Sequence, residues 1–304
     1  MQTTNRILMV RPVHFAYNEE TATNNAFQQP SDTDQEAMYT QQEAVKEFDT
    51  YVNLLRENGV TVEVLQDIEE PFTPDSIFPN NCFSTHDDQQ EHVLVLYPMY
   101  ARNRRLEREK LLSVLKKEWY DRIIDLTFWE DNRCFLEGTG SMVLDRVHRI
   151  AYACASPRTH EGVLKDWAAQ LGYQYMLFDS EDENGTPVYH TNVMMHVGTD
   201  VAIVCLDSIK SSKQRKQLIR SLTESGKTII PITWEQMNQF AGNMLEVRNE
   251  SGEKLLVMSA TARKSLSSEQ LDTLKHYVRI ISPDIHVIET AGGGSARCMM
   301  AELF

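Results

Sequence analysis

Several residues spread along the chain carry groups able to do acid–base or nucleophilic chemistry: Asn81 with Asp75 shortly before it, Glu137, His190, Asn243 and Cys298. A cysteine, a histidine and a glutamate together are the inventory of a nucleophilic thiol site. An ordinary thiol is mostly protonated at neutral pH, so it needs a nearby base or a lowered pKa. An imidazole can shuttle that proton, and a carboxylate can orient the base or the substrate. Cys298 follows GGGSAR, and three successive glycines, Gly292, Gly293 and Gly294, provide backbone that can approach a ligand closely. Taken singly, each residue has a plainer reading: a small buried hydrophobe, a structural histidine, a solvated turn carboxylate. Their shared position raises them above it.

Each of the five principal positions stands at or just before a β-prone run. Hairpin-like segments span 82–98, 142–154, 193–206 and 244–258, with turns carrying Asp-Asp-Gln-Gln, Asp-Arg, Gly-Thr-Asp and Asn-Glu-Ser-Gly. A fifth apolar run begins at Cys298, and Phe304 ends the chain before it can turn back. Its missing partner would be Ile7 to Arg11 at the other terminus, which would close a ring. Between hairpins, 161–171 has a helical apolar face and is followed by a strand at 173–178. Residues 267–278 open with a capping-box pattern, SSEQ, and lead to a strand at 285–288. Each unit therefore reads strand–strand–helix–strand, and five of them predict one α/β domain over 1–304, closed like a propeller. Equivalent strand starts would converge near its axis. An ordinary layered α/β protein with chance spacing is the alternative.

Composition narrows the function. The 304 residues carry a formal charge of −14 with a pI near 5.1, which argues against a general nucleic-acid binder. With 41% hydrophobic residues the chain is too apolar for disorder, yet it has no apolar stretch long enough to span a membrane. The short apolar run Ile7 to Val10 is no export signal. Five cysteines without CxxC spacing fit neither a disulfide framework nor a zinc site, so a reducing cytoplasm is expected. Cys134, Cys154 and Cys205 read as core and Cys82 as packing. The run Arg102 to Lys117 reads as a solvated helix. Residues 14–40 read either as a lid over the site or as a surface helix.

In order and spacing, RPVHF from Arg11, PDSIFPNN (74–81), FLEGTGS (135–141), SPRT (156–159), YHTN (189–192), GNMLEV (242–247) and GGGSARC (292–298) resemble the guanidine-modifying penteins. These include arginine deiminases, dimethylarginine hydrolases and amidinotransferases. The resemblance runs nearly end to end. It is greatest to the bacterial branch of amidinotransferase-like proteins and citrulline-utilization hydrolases. It implies a five-bladed α/β propeller. By position it implies Cys298 as nucleophile, His190 as general acid/base and Glu137 as the carboxylate of the family's EGG-type motif. Asp75 then matches a position that holds the amino-acid end of the substrate in some relatives. Arg158 matches an arginine that pairs with the substrate carboxylate, although a turn after Pro157 could equally leave it on the surface.

Two departures bear on the substrate. Arginine-processing members usually have aspartate where this chain has Asn81, and many have His-x-Asp where it has His190-Thr191-Asn192. An amide offers both a donor and an acceptor, which suits a neutral ureido group better than a guanidinium. With Asn243 at the equivalent place in the next unit, the expectation is a citrulline-like substrate and an S-carbamoyl enzyme. Backbone N–H groups of Gly292–Gly294 would steady the oxyanion, and no metal or organic cofactor is needed. An arginine-type deiminase or amidinotransferase is the first rival. A non-catalytic pentein acting as a binding module is the second.

Overall fold

The computed structural model describes residues 1–25, 27–30, 33–87, 91–115 and 119–304. These residues form five small sheets of three strands each, a mixed α/β architecture. Four sheets are built alike. They comprise Phe83–Asp87, His92–Leu96 and Arg122–Asp125; Met142–Asp145, Ile150–Cys154 and Gln174–Phe178; Met195–Val197, Val201–Val204 and Thr228–Pro231; and Leu245–Arg248, Lys254–Val257 and Arg279–Ile281. In each, the first two strands form an antiparallel hairpin and the third lies parallel to the second. A parallel return needs a crossover, supplied in the last three of these sheets by the helices Glu161–Leu171, Ser212–Glu224 and Ser268–Lys275.

The remaining sheet joins the two ends of the chain. Arg6–Arg11 runs parallel to Thr61–Gln66, across the helix Asp34–Glu57, and antiparallel to Ala301–Glu302, with Ile7 opposite Glu302. The strand–strand–helix–strand unit inferred from the hairpin spacing is therefore present. The apolar face of Glu161–Leu171 is Val163, Leu164, Trp167, Ala168 and Leu171, all buried, and Gly172 ends the helix at φ +68°. Ser267 and Gln270 form the expected capping box.

Four expectations need correction. No strand occupies 285–288: the third strand is the three-residue Arg279–Ile281, and His286–Gly292 is a helix. The Glu47 carboxylate accepts the Val287 and Ile288 N–H groups at 2.9 Å, taking two donors that a helix start leaves free. The helix expected over 267–278 ends at Lys275, and the strand follows it closely, ahead of the expected 285–288. The segment from Arg102 is not a solvated helix either. It forms Arg102–Arg105 and Glu107–Leu112, and Arg104, Glu107 and Lys110 are buried. Lys116 and Lys117 lie outside the described residues, as do Asp88 to Gln90 of the first hairpin turn. Cys298 precedes the last strand rather than starting it. Cys134 is only half-buried, whereas Cys82, Cys154 and Cys205 are buried. No helix among the described residues is long and apolar enough to cross a membrane.

Candidate active site

One-turn segments deliver the polar residues to a common place. Pro79–Asn81, Gly138–Ser141 and Thr191–Met194 each lead into a sheet, with Glu137 and His190 at the N-cap positions of the latter two. These turns touch. A Cβ at Gly138, where φ is +46°, would meet Asn80 O at 2.4 Å; one at Gly140 would meet Asn81 Nδ2 at 2.2 Å and the His190 ring at 2.8 Å. Only glycine allows that approach.

The Glu137 carboxylate is fully buried and meets His190 Nε2 at 2.7 Å, Tyr100 N at 2.9 Å and Arg158 Nη1 at 3.4 Å. Burial pushes its pKa up, but the Arg158 charge and the His190 hydrogen bond outweigh burial and hold it well below the usual carboxylate range. Burial is the main influence on His190 and brings its pKa down to about 4, against the opposing pull of Glu137. At neutral pH the imidazole is thus uncharged. A carboxylate can only accept, so the proton sits on Nε2 and Nδ1 is the bare nitrogen.

Cys298, 5% exposed, receives two side-chain amides at sulfur: Asn243 Nδ2 at 3.2 Å and Asn192 Nδ2 at 3.6 Å. Asn243 is itself fixed, donating to Asn192 O at 3.1 Å and accepting from Arg297 N at 3.0 Å. Cys298, His190, Asn81, Arg104, Asp75, Arg158 and the Gly292–Gly294 loop line one small pocket of about 20 Å³. Asn192 and Asn243 stand outside that lining, against the sulfur. Part of the glycine loop is committed to neighbouring groups. Gly293 N–H donates to Glu289 O at 3.0 Å and is spent there; the Gly292 and Gly293 carbonyls accept from Gln28 Nε2 and Tyr189 OH, both at 2.9 Å.

Asp75 is buried. Its Oδ2 accepts from Asn18 Nδ2 at 2.8 Å and Thr21 Oγ1 at 3.0 Å, while Oδ1 has no partner among the described residues. Arg158 is also buried, not a surface arginine, and donates to Asn24 Oδ1 and Thr21 O at 2.8 Å. Asn18, Thr21, Asn24 and Gln28 thus close the site from one side, the part of 14–40 that bears on the lid expectation; Ala26, Ser31 and Asp32 lie outside the described residues. A groove of about 420 Å³ runs alongside and shares Tyr189 with the cavity.

Sequence reasoning missed Arg104. It is 2% exposed and donates to Asn81 Oδ1 at 2.7 Å, Glu107 Oε1 at 2.8 Å and Phe78 O at 2.9 Å. Its only sequence signal was the Arg104–Glu107 spacing, which is equally common on exposed helix faces. For the closure by Asn18, Thr21, Asn24 and Gln28, the polar run 14–40 was the signal, equally compatible with a surface helix. Among the described residues no cluster of three or more His, Cys, Asp or Glu side chains is arranged to hold a metal ion.

The sequence matches the family model of N,N dimethylarginine dimethylhydrolases, eukaryotic, over residues 11–304. No curated protein matches it in sequence. Among solved structures it is similar to ArgZ, an arginine dihydrolase from the ornithine–ammonia cycle in cyanobacteria, at TM-score 0.75 and 16% identity. That match covers 97% of this chain and 40% of ArgZ, so the chain spans well under half the length of that protein. The substrate-bound N-terminal domain of ArgZ gives TM-score 0.72 at 16% identity, covering 98% of this chain and 97% of the domain. A dimethylarginine dimethylaminohydrolase adduct gives TM-score 0.67 at 15% identity, covering 99% and 100%. At these identities the structural likeness is one of fold.

Proposed function

Because the chain belongs to the N,N-dimethylarginine dimethylhydrolase family, within the guanidine-modifying penteins, we propose that it is a cysteine-dependent hydrolase of a C–N bond in a ureido or guanidino amino acid. The preferred substrate in this reading is citrulline, which yields ornithine. What carries the reading is the meeting of the Cys298 sulfur and His190, itself paired with Glu137, at one small pocket that Asn81 also lines.

The residues take the following roles. His190 Nδ1 accepts the Cys298 thiol proton, and the thiolate attacks the ureido carbon. The tetrahedral adduct collapses as the imidazolium returns the proton to the departing nitrogen. The C–N bond breaks, ornithine leaves, and an S-carbamoyl enzyme remains. Water, deprotonated by His190, attacks the same carbon; the C–S bond breaks, the thiol regains its proton, and carbamate leaves to give carbon dioxide and ammonia. Glu137 keeps Nε2 protonated and steadies the imidazolium. The amides of Asn192 and Asn243 stabilise negative charge on sulfur. Asp75 takes the α-ammonium group, and Arg158, released from Asn24, takes the α-carboxylate. The groove beside Tyr189 is the route of entry. No step calls for a metal or organic cofactor.

One observation favours a second reading, an arginine-type deiminase or dihydrolase. The unpartnered Asp75 Oδ1 is an acceptor that a guanidinium could also use. We further infer that residues 1–304 form one catalytic domain closed as a five-bladed ring, supported by the pairing of Arg6–Arg11 with Ala301–Glu302. A reducing cytoplasm fits its five free cysteines.

The test is product analysis. Purified protein given citrulline is expected to release ornithine and ammonia, and Cys298→Ala to release neither. Citrulline formation from arginine, at a rate far above ornithine release from citrulline, would overturn the substrate assignment.

A further inference from the structure

We propose that Arg104 is a positioning residue that turns Asn81 into a fixed hydrogen-bond donor and thereby selects a carbonyl-bearing ureido group over a guanidinium. The inference rests on the hydrolase reading above and names the device behind its substrate choice. A guanidinium has five N–H donors and no acceptor. With Arg104 Nη1 at 2.7 Å from the Asn81 side chain, the atom facing it is the amide oxygen. A flipped amide would set N–H against N–H at that distance.

Arg104 cannot turn away to permit the flip. Its Nε and Nη2 are held by both oxygens of Glu107, at 2.8 and 3.0 Å, and Nη2 also by Phe78 O at 2.9 Å. Those anchors come from two segments, the 75–81 turn and the short helix Glu107–Leu112. Asn81 Nδ2 therefore points the other way. It makes one long bond to Glu137 O, 3.4 Å, and presses with the His190 ring on the space left at Gly140. The donor side of Asn81 thus lies beside His190, and Asn81 lines the cavity with Cys298. A ureido oxygen accepts from that N–H, as does the oxyanion it becomes. A guanidinium brings only further donors and leaves both sides unpaired. An aspartate at 81 would remove the donor and reverse the preference.

The experiment compares kcat/KM for citrulline and for arginine in full-length protein, with circular dichroism to check folding. Arg104→Lys keeps the charge but cannot span Asn81, Glu107 and Phe78 together. Arg104→Met with Glu107→Leu replaces the buried pair by apolar groups, a change proteins often tolerate. In both, the citrulline-to-arginine ratio is expected to fall at least about tenfold, mainly through a higher KM for citrulline. A folded Arg104→Lys that keeps the wild-type ratio overturns the proposal, because charge and not orientation would then be responsible. Should both variants fail to fold, Asn81→Asp decides, since Arg104 can pair with its carboxylate. A wild-type KM for citrulline in that variant also overturns it. Failure of the wild type to cleave citrulline is a different result: it removes the substrate reading itself.

Discussion

The Glu137 carboxylate holds His190 Nε2 at 2.7 Å, with both side chains almost wholly removed from solvent. That pairing selects the imidazole tautomer and leaves Nδ1 as the nitrogen able to accept a proton. Glu137→Gln keeps the size of the side chain but can offer an N–H to Nε2, and it leaves Arg158 without its buried anion. We expect kcat to fall by about a hundred- to ten-thousandfold, read by steady-state ornithine release, with thermal unfolding run alongside to separate catalysis from stability.

With its pKa brought down to about 4, His190 is uncharged through the range where an ordinary histidine, near 6.5, gains a proton. The acid limb of kcat/KM is expected nearer pH 4 than pH 6.5. Stability follows the same shift. The unfolded chain binds the His190 proton more tightly, so this contribution is complete above about pH 6.5 and is lost as pH falls toward 4. Glu137, also lowered, adds to the loss at still lower pH. Urea unfolding at pH 7 and pH 5 checks the sign: greater stability at pH 5 would contradict it.

Gly140 lies where the Asn81 and His190 side chains converge: a Cβ there would sit 2.2 Å from one and 2.8 Å from the other. Gly140→Ala must displace at least one of them. A displacement of about 1 Å can cost roughly a hundredfold in rate, and kinetics of the folded variant should show a loss of that order.

Asn24 Oδ1 anchors Arg158 at 2.8 Å. Asn24→Ala removes a hydrogen bond to a charged group, worth about 1.5–3 kcal/mol, and should loosen the cover formed by Asn18, Thr21, Asn24 and Gln28. Faster limited proteolysis within that segment and an altered KM are the expected signs. Unchanged proteolysis would show that the cover does not depend on this contact.

Ser267 caps the helix Ser268–Lys275, remote from the cavity. Ser267→Ala should cost about 1 kcal/mol of stability while leaving kcat and KM as they are. A thermal melt and one kinetic run test both halves.

Much of this architecture is legible along the chain because it is local and repeated. The hairpins, the Glu161–Leu171 helix and the Ser267 capping box come from side-chain alternation, helical periodicity and cap chemistry, which act within a few residues. The same recurrence picked out Glu137, His190 and Cys298. It failed at 285–288, where a short apolar run after Pro283 is as compatible with a helix as with a strand. There Glu47, distant in sequence, supplies the acceptors for the helix start.

Residue types, their order and their spacing were enough to indicate an α/β repeat and a thiol, imidazole and carboxylate intended for one centre. Tertiary packing alone decided that Arg104 is buried beside Asn81, that Asn192 and Asn243 address the sulfur, and that Thr21 and Asn24 pack on Arg158 beside the cavity. Those outcomes depend on partners dozens to hundreds of residues away. A charged or amide side chain commits its donors and acceptors only when burial removes the competing water.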